Sequence, residues 1–193
     1  MISAIVLAAG QSKRMGRPKM VLPWGHTTVI THVISTLTQA GLTDIIVITG
    51  GNHEEIEGEL SGQPVNCVYN ADFVQGEMLS SVKLGLRSLN AESEAALLVL
   101  GDQPQIEAHV VEAILHRYKF KHEKIIIPSY MMHRGHPWLL DRALWQGVID
   151  LSQPDSLRDF LNQNAEFIYY LVVDTVSVMH DIDTPTDYEQ FKP

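Results

Sequence analysis

Two glycines and four cationic side chains lie close together near the start of the chain, directly after an apolar segment. The apolar segment, residues 2–7, is typical of a buried strand, and residues 7–19 have the sequence LAAGQSKRMGRPK. The glycines and cations of this stretch are Gly10, Gly16, Lys13, Arg14, Arg17 and Lys19. Glycine lets backbone N–H groups approach an anion closely, and the Arg and Lys side chains add mobile positive charge. The stretch therefore predicts a phosphate-binding loop, with a solvated basic turn as the alternative.

Two common phosphate-binding patterns are excluded by the spacing within this loop. The Walker A motif requires a glycine, four residues and then Gly-Lys-Ser/Thr. Here five residues separate Gly10 from Gly16, and Arg17 follows. The dinucleotide fingerprint G-x-G-x-x-G is also absent, because Gly10 is followed by Gln11 and Ser12. The loop is therefore expected to bind phosphate through a different arrangement of glycines and cations.

A single carboxylate, Asp102, follows the most apolar segment of the chain. Residues 95–100 have the sequence AALLVL, which is typical of a central strand buried on both faces, and GDQP follows. Ligands of open α/β sheets bind beyond the carboxyl ends of the strands. A carboxylate at that place is a suitable ligand for a hard cation such as Mg²⁺. Capping of the next helix is the alternative role of Asp102, and the two roles are compatible.

Two further carboxylates, Asp181 and Asp183, precede the last predicted helix in the sequence DIDTP. Because they alternate along the chain, we expect that they do not point the same way. One of them is then expected to reach a metal while the other caps the helix. Capping alone is the alternative for both residues.

A glycine turn with two serines, and a histidine later in the chain, complete the set of candidate groups. Gly76, Ser80 and Ser81 lie at the start of a predicted helix, where hydroxyls could hydrogen-bond a nucleobase or a ribose. Ordinary turn and cap roles are the alternative. A zinc site at His133 and His136 is not expected, because further ligands at a plausible spacing are absent from the sequence. A structural role for His136 stays open beside a binding role.

Composition limits the class of protein. The 193 residues suit one domain with a sizeable core, and a net charge of −9 argues against nucleic-acid binding through a basic surface. No apolar stretch approaches the roughly 18 residues of a membrane span, and no basic segment precedes the first apolar run, so neither a membrane span nor a signal peptide is expected. The only cysteine, Cys67, lies in an apolar run and is predicted to be a buried core thiol. One cysteine fits a reducing compartment, and we expect a cytoplasmic protein.

Segments typical of strands and of helices alternate along the chain. The predicted strands cover residues 2–7, 44–49, 65–69, 95–100, 124–128, 165–173 and 177–179. The predicted helices cover residues 27–40, 53–60, 78–89, 107–118, 141–149 and 155–162, with a last helix that begins near Pro185. Residues 129–140 are expected to form a hairpin or a lid-like loop, and Asp155 is expected to cap its helix. The alternation predicts an α/β fold with a largely parallel sheet.

Three of these sequences resemble the motifs of a known family. Its signature loop is L-A-[AG]-G-x-[SG]-x-R-[ML]-G-x-x-K, and the fixed positions correspond to Leu7, Ala8, Gly10, Ser12, Arg14, Met15, Gly16 and Lys19. GDQP resembles the family's metal motif G-D-x-P, and residues 181–187 resemble its closing motif [DN]-x-[DN]-T-P-x-[DE]. Through these motifs the chain resembles the MobA-like nucleotidyltransferases from Ile2 to Tyr188.

Within that family the chain is most similar to the molybdenum cofactor cytidylyltransferases. Ala9 stands where the guanylyl enzymes carry glycine, residues 19–24 (KMVLPW) resemble K-x-x-L-P-W, and residues 135–137 are Gly-His-Pro. One segment departs from the family, whose members show Gly-Met-x-x-Ser or Gly-x-Ser-Ser-Ser where this chain has GEMLSS at 76–81. Because this chain has one extra residue there, Gly76 matches the glycine of the family motif more closely than Ser80 or Ser81 matches its serine.

The resemblance implies one Rossmann-like domain of the glycosyltransferase-A type over residues 1–193, with a mixed, mostly parallel sheet of about seven strands. It implies that a nucleoside monophosphate passes from a triphosphate to a phosphate acceptor, with release of pyrophosphate. Arg14, Lys19 and Asp102 are the implied catalytic residues. The implied nucleotide-binding residues are Leu7, Ala8, Ala9, Gly10, Gly16, Lys19, Gly76, Ser80 and Ser81.

The resemblance also implies a metal and two substrates. Asp102 and Asp183 would hold Mg²⁺ or Mn²⁺, and Gly135 and His136 would contact the acceptor. The implied substrates are CTP and a molybdopterin-type phosphate acceptor, with a molybdoenzyme as a client. We attribute the preference for CTP to the Ala9 methyl group, which narrows the pocket and disfavours the larger purine.

Two other functions stay open at the level of sequence. One is a nucleotidyltransferase for a sugar phosphate or an alditol phosphate, which an acceptor screen would separate from the first. The other is a non-catalytic nucleotide-binding accessory protein that delivers cofactor to a partner. Neither nucleic acid nor a membrane is an expected partner.

Overall fold

A mixed sheet of eight strands lies at the centre of the computed structural model, which describes residues 1–75 and 77–193. The strands of this part of the chain are β1 (Ile2–Ala8), β2 (Pro23–Trp24), β3 (Thr27–Thr28), β4 (Ile45–Thr49), β5 (Asn66–Tyr69), β6 (Ala95–Leu100), β7 (Ile125–Tyr130), β8 (His133–Arg134), β9 (Trp138–Asp141) and β10 (Ile168–Val172). The α-helices are α1 (Val29–Gln39), α2 (His53–Glu59), α3 (Glu77–Ser88), α4 (Ala108–Lys121), α5 (Trp145–Asp150), α6 (Leu157–Gln163) and α7 (Pro185–Phe191). β2 and β3 pair with each other, outside the main sheet.

The strand order of the main sheet is β10-β7-β9-β6-β1-β4-β5, and β8 pairs with β7 outside this path. β1 runs parallel to β4 and β6, β4 runs parallel to β5, and β7 runs parallel to β10. β9 is antiparallel to both β6 and β7. The predicted α/β fold with a mixed, largely parallel sheet is confirmed, and β6 has the central position that its apolar sequence indicates.

The register of the central strands brings three loops to one edge of the sheet. Leu7 of β1 lies opposite Leu100 of β6, and Ala8 lies opposite Thr49 of β4. The Gly101 N–H donates to the Leu7 carbonyl at 3.0 Å, which holds the chain after β6 against the end of β1. The loops that follow β1, β4 and β6 therefore begin side by side at the carboxyl edge, where ligands bind in folds of this class.

Helices cover both faces of the sheet, and alternate residues of β1 face the two layers. Ala4 and Val6 pack with α1, α2 and α4, whereas Ile5 packs with α3, α5 and α6. A Cβ atom at Gly85 of α3 would lie 2.5 Å from the Ile5 side chain. Glycine at this position therefore lets α3 lie directly on β1, which keeps the first turns of α3 beside the loop after β1.

β5 forms one edge of the sheet, and its position shows that the prediction for Cys67 is wrong. Cys67 is exposed, whereas the sequence predicted a buried core thiol. β5 pairs with β4 on one side only, so its side chains have less cover than those of a central strand. An apolar run of five residues does not distinguish an edge strand from a central one.

Several local predictions for the second half of the chain are corrected by the structure. The strand predicted at 177–179 is part of a 3-10 helix, Val176–Met179, and the strand predicted from residue 165 begins at Ile168. Ser156, not Asp155, caps α6, because the Ser156 side chain forms a reciprocal capping box with Asp159.

Of the two forms expected for residues 129–140, the hairpin is the one observed, between β7 and β8. α7 begins at Pro185 as predicted. Within the described residues, no helix has both the length and the apolar character needed to cross a bilayer.

Candidate active site

The loop after β1 is held by a turn around Ser12. The N–H groups of Met15 and Gly16 donate to the Ser12 carbonyl at 3.0 and 3.2 Å, and Ser12 and Gly16 have left-handed φ angles of 51° and 70°. The Ser12 hydroxyl accepts from the backbone N–H of Lys19 at 3.1 Å. Met15 is buried against the segment that precedes α7. These contacts fix both ends of the cationic stretch and place Lys19 at the start of a 3-10 helix.

A buried ion pair joins this loop to the loop after β6. Lys19 Nζ lies 2.5 Å from Asp102 Oδ2 and 3.0 Å from Asp183 Oδ1. Arg14 donates to the other oxygen of Asp183 at 2.7 Å. The Lys19 side chain is 10% exposed and that of Arg14 is 70% exposed. The lysine ammonium is therefore fixed between two carboxylates, whereas the arginine remains accessible from solvent.

Three carboxylates converge on this position. Oxygen atoms of Asp102, Asp181 and Asp183 all lie within 4.8 Å of one another, and we call these residues the acidic triad. The sequence-based expectation that Asp181 and Asp183 point different ways is therefore wrong. Residues two apart on a non-helical segment share a face, and the intervening Ile182 is fully buried on the other face. Neither carboxylate caps α7, because Thr184 and Asp187 form the capping box.

The triad holds more negative charge than its cations neutralise. Burial raises the pKa of Asp102, and although Lys19 opposes the shift, the pKa stays above its ordinary value. Burial lowers the pKa of Lys19, but the attraction of Asp102 and Asp183 is stronger, and the net pKa is raised. Both groups therefore hold their protons more tightly than they would in water. An added cation would relieve this excess of negative charge.

A cavity of about 360 Å³ opens in front of the triad, and we call it the nucleotide cavity after the ligand that the sequence predicts for its lining residues. The predicted site residues that line it are Leu7, Ala9, Gly10, Arg14, Lys19, Ser81, Asp102 and Asp183. Ala8 does not line it, because its side chain is fully buried in the layer of α1, α2 and α4. Ser80 is half-buried beside it, and the prediction for Gly76 falls outside the described residues.

A second cavity, of about 560 Å³, lies beside the first and contains the predicted acceptor residue His136. The His136 ring stacks on Trp138 with 4.4 Å between ring centroids and 15° between planes. Burial lowers the pKa of His136 to about 4, so the imidazole is neutral at physiological pH. Gly135 does not line this cavity but packs tightly against Val178. A Cβ atom added at Gly135 would lie 2.6 Å from the Val178 side chain. Met78 lines both cavities and lies between them.

The fold and the nucleotide cavity define a class of protein, the nucleotidyltransferases with an α/β domain in which a cationic glycine loop meets an acidic cluster. The chain belongs to the family described as the MobA-like NTP transferase domain, whose model matches residues 4–167. The family resemblance predicted from the sequence is confirmed.

Two relatives span nearly the full length of this chain. The molybdenum cofactor cytidylyltransferase of Escherichia coli K12 is 28% identical, over 97% of this chain and 93% of the relative. The nicotine blue oxidoreductase of Paenarthrobacter nicotinovorans is 27% identical, over 95% of this chain and 92% of the relative.

Among solved structures, Rv0371c of Mycobacterium tuberculosis H37Rv superposes with a TM-score of 0.85 at 26% identity, over 98% of this chain and 96% of that one. A complex of Rv0371c with manganese superposes with a TM-score of 0.82 at 25% identity, with the same coverage. A nucleotidyltransferase of the MobA-like type is therefore the class supported by sequence, fold and site together.

Sequence reasoning missed part of the site region. Phe73 and Met78 line the nucleotide cavity, and Asp181, which was expected to reach a metal only in place of Asp183, joins it in the triad. Gly50 lies against Ala9, because a Cβ atom there would come within 2.6 Å of the Ala9 carbonyl oxygen. The sequence carried a signal for two of them, since Gly50 follows a predicted strand and Asp181 shares a non-helical segment with Asp183. No local pattern marks Phe73, whereas Met78 lies in the segment GEMLSS, where an extra residue obscures the match to the family motif Gly-Met-x-x-Ser.

Proposed function

We propose that this chain transfers CMP from CTP to the phosphate of a molybdopterin-type acceptor. An acceptor phosphate oxygen bonds to the α-phosphorus of CTP, the bond between that phosphorus and the bridging oxygen breaks, and pyrophosphate leaves. The observation that carries the proposal is the meeting of two loop cations with three carboxylates at one cavity. Such transfers depend on positioning and on charge neutralisation, and they need no nucleophilic side chain.

The acidic triad fits a divalent cation. Asp102, Asp181 and Asp183 offer oxygen ligands within 4.8 Å of one another, and oxygen is the preferred donor for Mg²⁺ and Mn²⁺. The Lys19 ammonium already lies between Asp102 and Asp183, which indicates that positive charge is favoured beside these carboxylates. When bound, Mg²⁺ or Mn²⁺ would neutralise phosphate charge and orient the triphosphate. Rv0371c, a structural relative, has been solved in complex with manganese, which supports the use of a divalent metal by this chain.

Lys19 and Arg14 are the residues that would stabilise the charge developing on the leaving pyrophosphate. Lys19 lies at the floor of the cavity, where low exposure strengthens its interaction with an anion. Arg14 lies at the mouth, where its guanidinium can bind two phosphate oxygens at once. Backbone N–H groups near Gly10 complete the phosphate side of the cavity.

In this proposal the pyrimidine base binds between the loop after β1 and the start of α3, whose residues line the same cavity. Ala9 is 9% exposed, and its methyl group cannot retreat, because the Gly50 backbone lies directly behind it. The methyl group therefore takes space that a purine would need. We expect Ala9→Gly to raise the use of GTP relative to CTP by roughly tenfold, which is the effect of one unfavourable contact in a pocket.

The acceptor is assigned to the second cavity. The stacked rings of His136 and Trp138 supply a flat apolar wall, which suits a fused heterocycle better than a sugar. Met78 marks the passage through which an acceptor phosphate would reach the nucleotide. The nearly equal identity to a cytidylyltransferase and to an oxidoreductase does not separate these functions, and the choice rests on the triad and the loop cations.

The test is a matrix of four nucleoside triphosphates against molybdopterin-type and sugar-phosphate acceptors, read by pyrophosphate release with Mg²⁺ or Mn²⁺. We expect the highest kcat/KM for CTP with a molybdopterin-type acceptor. Asp102→Asn serves as the matched variant, in which we expect pyrophosphate release to fall at least about a hundredfold.

Other outcomes of the matrix select the alternatives. Release with sugar or alditol phosphates alone would assign the chain to that group of transferases. Nucleotide binding without release for every acceptor would favour an accessory protein.

A further inference from the structure

A buried residue outside the family motifs holds both serines at the start of α3. Asn70 follows β5, is 4% exposed, and donates its Nδ2 protons to Ser80 Oγ at 2.9 Å and to Ser81 Oγ at 3.0 Å. Ser81 is itself 3% exposed and lines the nucleotide cavity. An amide fixed in the protein interior therefore contacts a hydroxyl at the cavity wall.

The orientation of the Asn70 amide is set by its third contact. Asn70 Oδ1 accepts from the backbone N–H of Asp72 at 3.0 Å. A backbone N–H can only donate, so the oxygen of the amide must face Asp72 and its NH₂ group must face the serines. The opposite orientation would place donor against donor in the interior, which is costly.

This orientation decides what Ser81 offers to a ligand. Ser81 Oγ accepts a hydrogen bond from Asn70 Nδ2. Within residues 1–75 and 77–193, no group accepts a hydrogen bond from the Ser81 hydroxyl. A hydroxyl has one proton to donate, and here the direction toward Asn70 is closed to it. Ser81 therefore presents a donor to the nucleotide cavity.

We infer that Asn70 sets the choice of pyrimidine by fixing Ser81 as a hydrogen-bond donor to N3 of the base. The inference rests on the proposed use of CTP. Cytosine N3 has no proton and accepts, whereas uracil N3 carries a proton and would oppose a second donor. A site built around one fixed hydrogen bond rejects the base that cannot make it. Ser81 contacts the base in this arrangement, and Asn70 is a positioning residue.

The experiment compares equilibrium binding of CTP and UTP to the full chain with Mn²⁺, by isothermal titration calorimetry. Asn70→Asp keeps the oxygen that faces Asp72 but replaces the NH₂ group with an acceptor. The Ser81 proton then turns to the new carboxylate, and a lone pair faces the cavity.

We expect CTP to bind at least about tenfold more tightly than UTP in the wild type, about the effect of one hydrogen bond. Ser81→Ala should reduce this ratio to about threefold or less, and Asn70→Asp should abolish or invert it. An increase in the affinity for UTP is a result that simple loss of structure does not produce. Gln75→Glu adds the same charge at an exposed position of the same loop and should retain the wild-type ratio.

The outcomes separate this inference from the proposed function. An unchanged ratio in both Ser81→Ala and Asn70→Asp overturns the inference and leaves cytidylyl transfer standing. Selective binding of CTP that Asn70→Asp abolishes, without pyrophosphate release for any acceptor, supports the inference and removes the transfer reaction. A wild type that prefers UTP, or that binds neither nucleotide, overturns both.

Discussion

Two carboxylates near opposite ends of β6 have opposite surroundings. Asp102 follows the carboxyl end of the strand, whereas Asp141 lies opposite Ala95 at its start. Asp141 accepts from Lys124 Nζ at 2.8 Å, from the Tyr118 hydroxyl at 2.9 Å and from the Ala143 N–H at 3.0 Å. Burial raises the pKa of Asp141, but these three donors outweigh it and hold the pKa below its ordinary value.

Asp102 is compensated only in part, because Lys19 is shared with Asp183 and the neighbouring carboxylates repel its charge. A raised pKa means that the folded chain binds the proton of Asp102 more tightly than the unfolded chain. The contribution of Asp102 to stability is therefore favourable at low pH and declines as the pH rises through its folded pKa. Asp141 has the opposite sign, and its contribution is lost as the pH falls through its lowered pKa. The carboxylate at the start of β6 is therefore neutralised by donors within the fold. The carboxylates beyond its carboxyl end retain an excess of negative charge, which a bound cation can neutralise.

The largest effect is expected for Asp102→Asn. Turnover should fall at least about a hundredfold, because the amide keeps the shape of the side chain but removes the charge at the centre of the triad. The same variant should unfold at a higher temperature than wild type at pH 7, because it removes a carboxylate whose charge the fold disfavours. Pyrophosphate release and thermal unfolding measure the two effects. Wild-type turnover, with unchanged dependence on Mg²⁺, would show that Asp102 serves only the fold.

The second largest effect is expected for the substitution of Lys19, the cation that contacts Asp102. Lys19→Met should also lower turnover at least about a hundredfold, because the floor of the cavity loses its positive charge. In contrast to Asp102→Asn, it should reduce stability at pH 7, since the raised pKa of Lys19 shows that the fold favours the ammonium form. Arg17→Met, on the same loop, is the control for a lost cation. Equal turnover in the Lys19 and Arg17 variants would contradict a role for Lys19 in phosphate binding.

Asp141→Asn tests the other end of β6. We expect a loss of about 1–3 kcal/mol in the free energy of unfolding, because a buried hydrogen-bonded charge is replaced by a group that matches its donors poorly. Turnover should stay within about twofold of wild type, since Asp141 lines neither cavity. Urea unfolding and pyrophosphate release measure these effects. A loss of turnover of more than about twofold in a variant that remains folded would show that the region around Asp141 participates in function.

The smallest effect expected is a pH dependence from His136. Its pKa is lowered to about 4 by burial, so the unfolded chain binds more protons than the folded chain between about pH 6.5 and pH 4. The contribution of His136 to stability is therefore present above pH 6.5 and is lost as the pH falls. In thermal unfolding from pH 7.5 to pH 5, His136→Gln should show a smaller decrease of Tm than wild type. His109→Gln, at an exposed histidine, should decrease as wild type does, and equal slopes for all three would refute a buried neutral His136.

The residues at the two ends of β6 differ in how well the sequence predicted them. Arg14, Lys19 and Asp102 were predicted because they lie in short motifs directly after apolar strands, where the fold class places ligands. Asp141 could not be assigned, because its partners Tyr118 and Lys124 come from α4 and from the residue before β7, and no local pattern links them to Asp141.

The sequence by itself determined most of the alternation of strands and helices and the central position of β6, and it predicted phosphate binding by the first loop. These features depend on apolar periodicity and on glycine spacing, which are local properties of the chain. Tertiary structure alone decided that Asp181 joins Asp102 and Asp183, that Cys67 is exposed, and that Met78 lies between two cavities. Each of these depends on which distant segments pack together, because burial and electrostatic environment are properties of the assembled sheet and its covering helices.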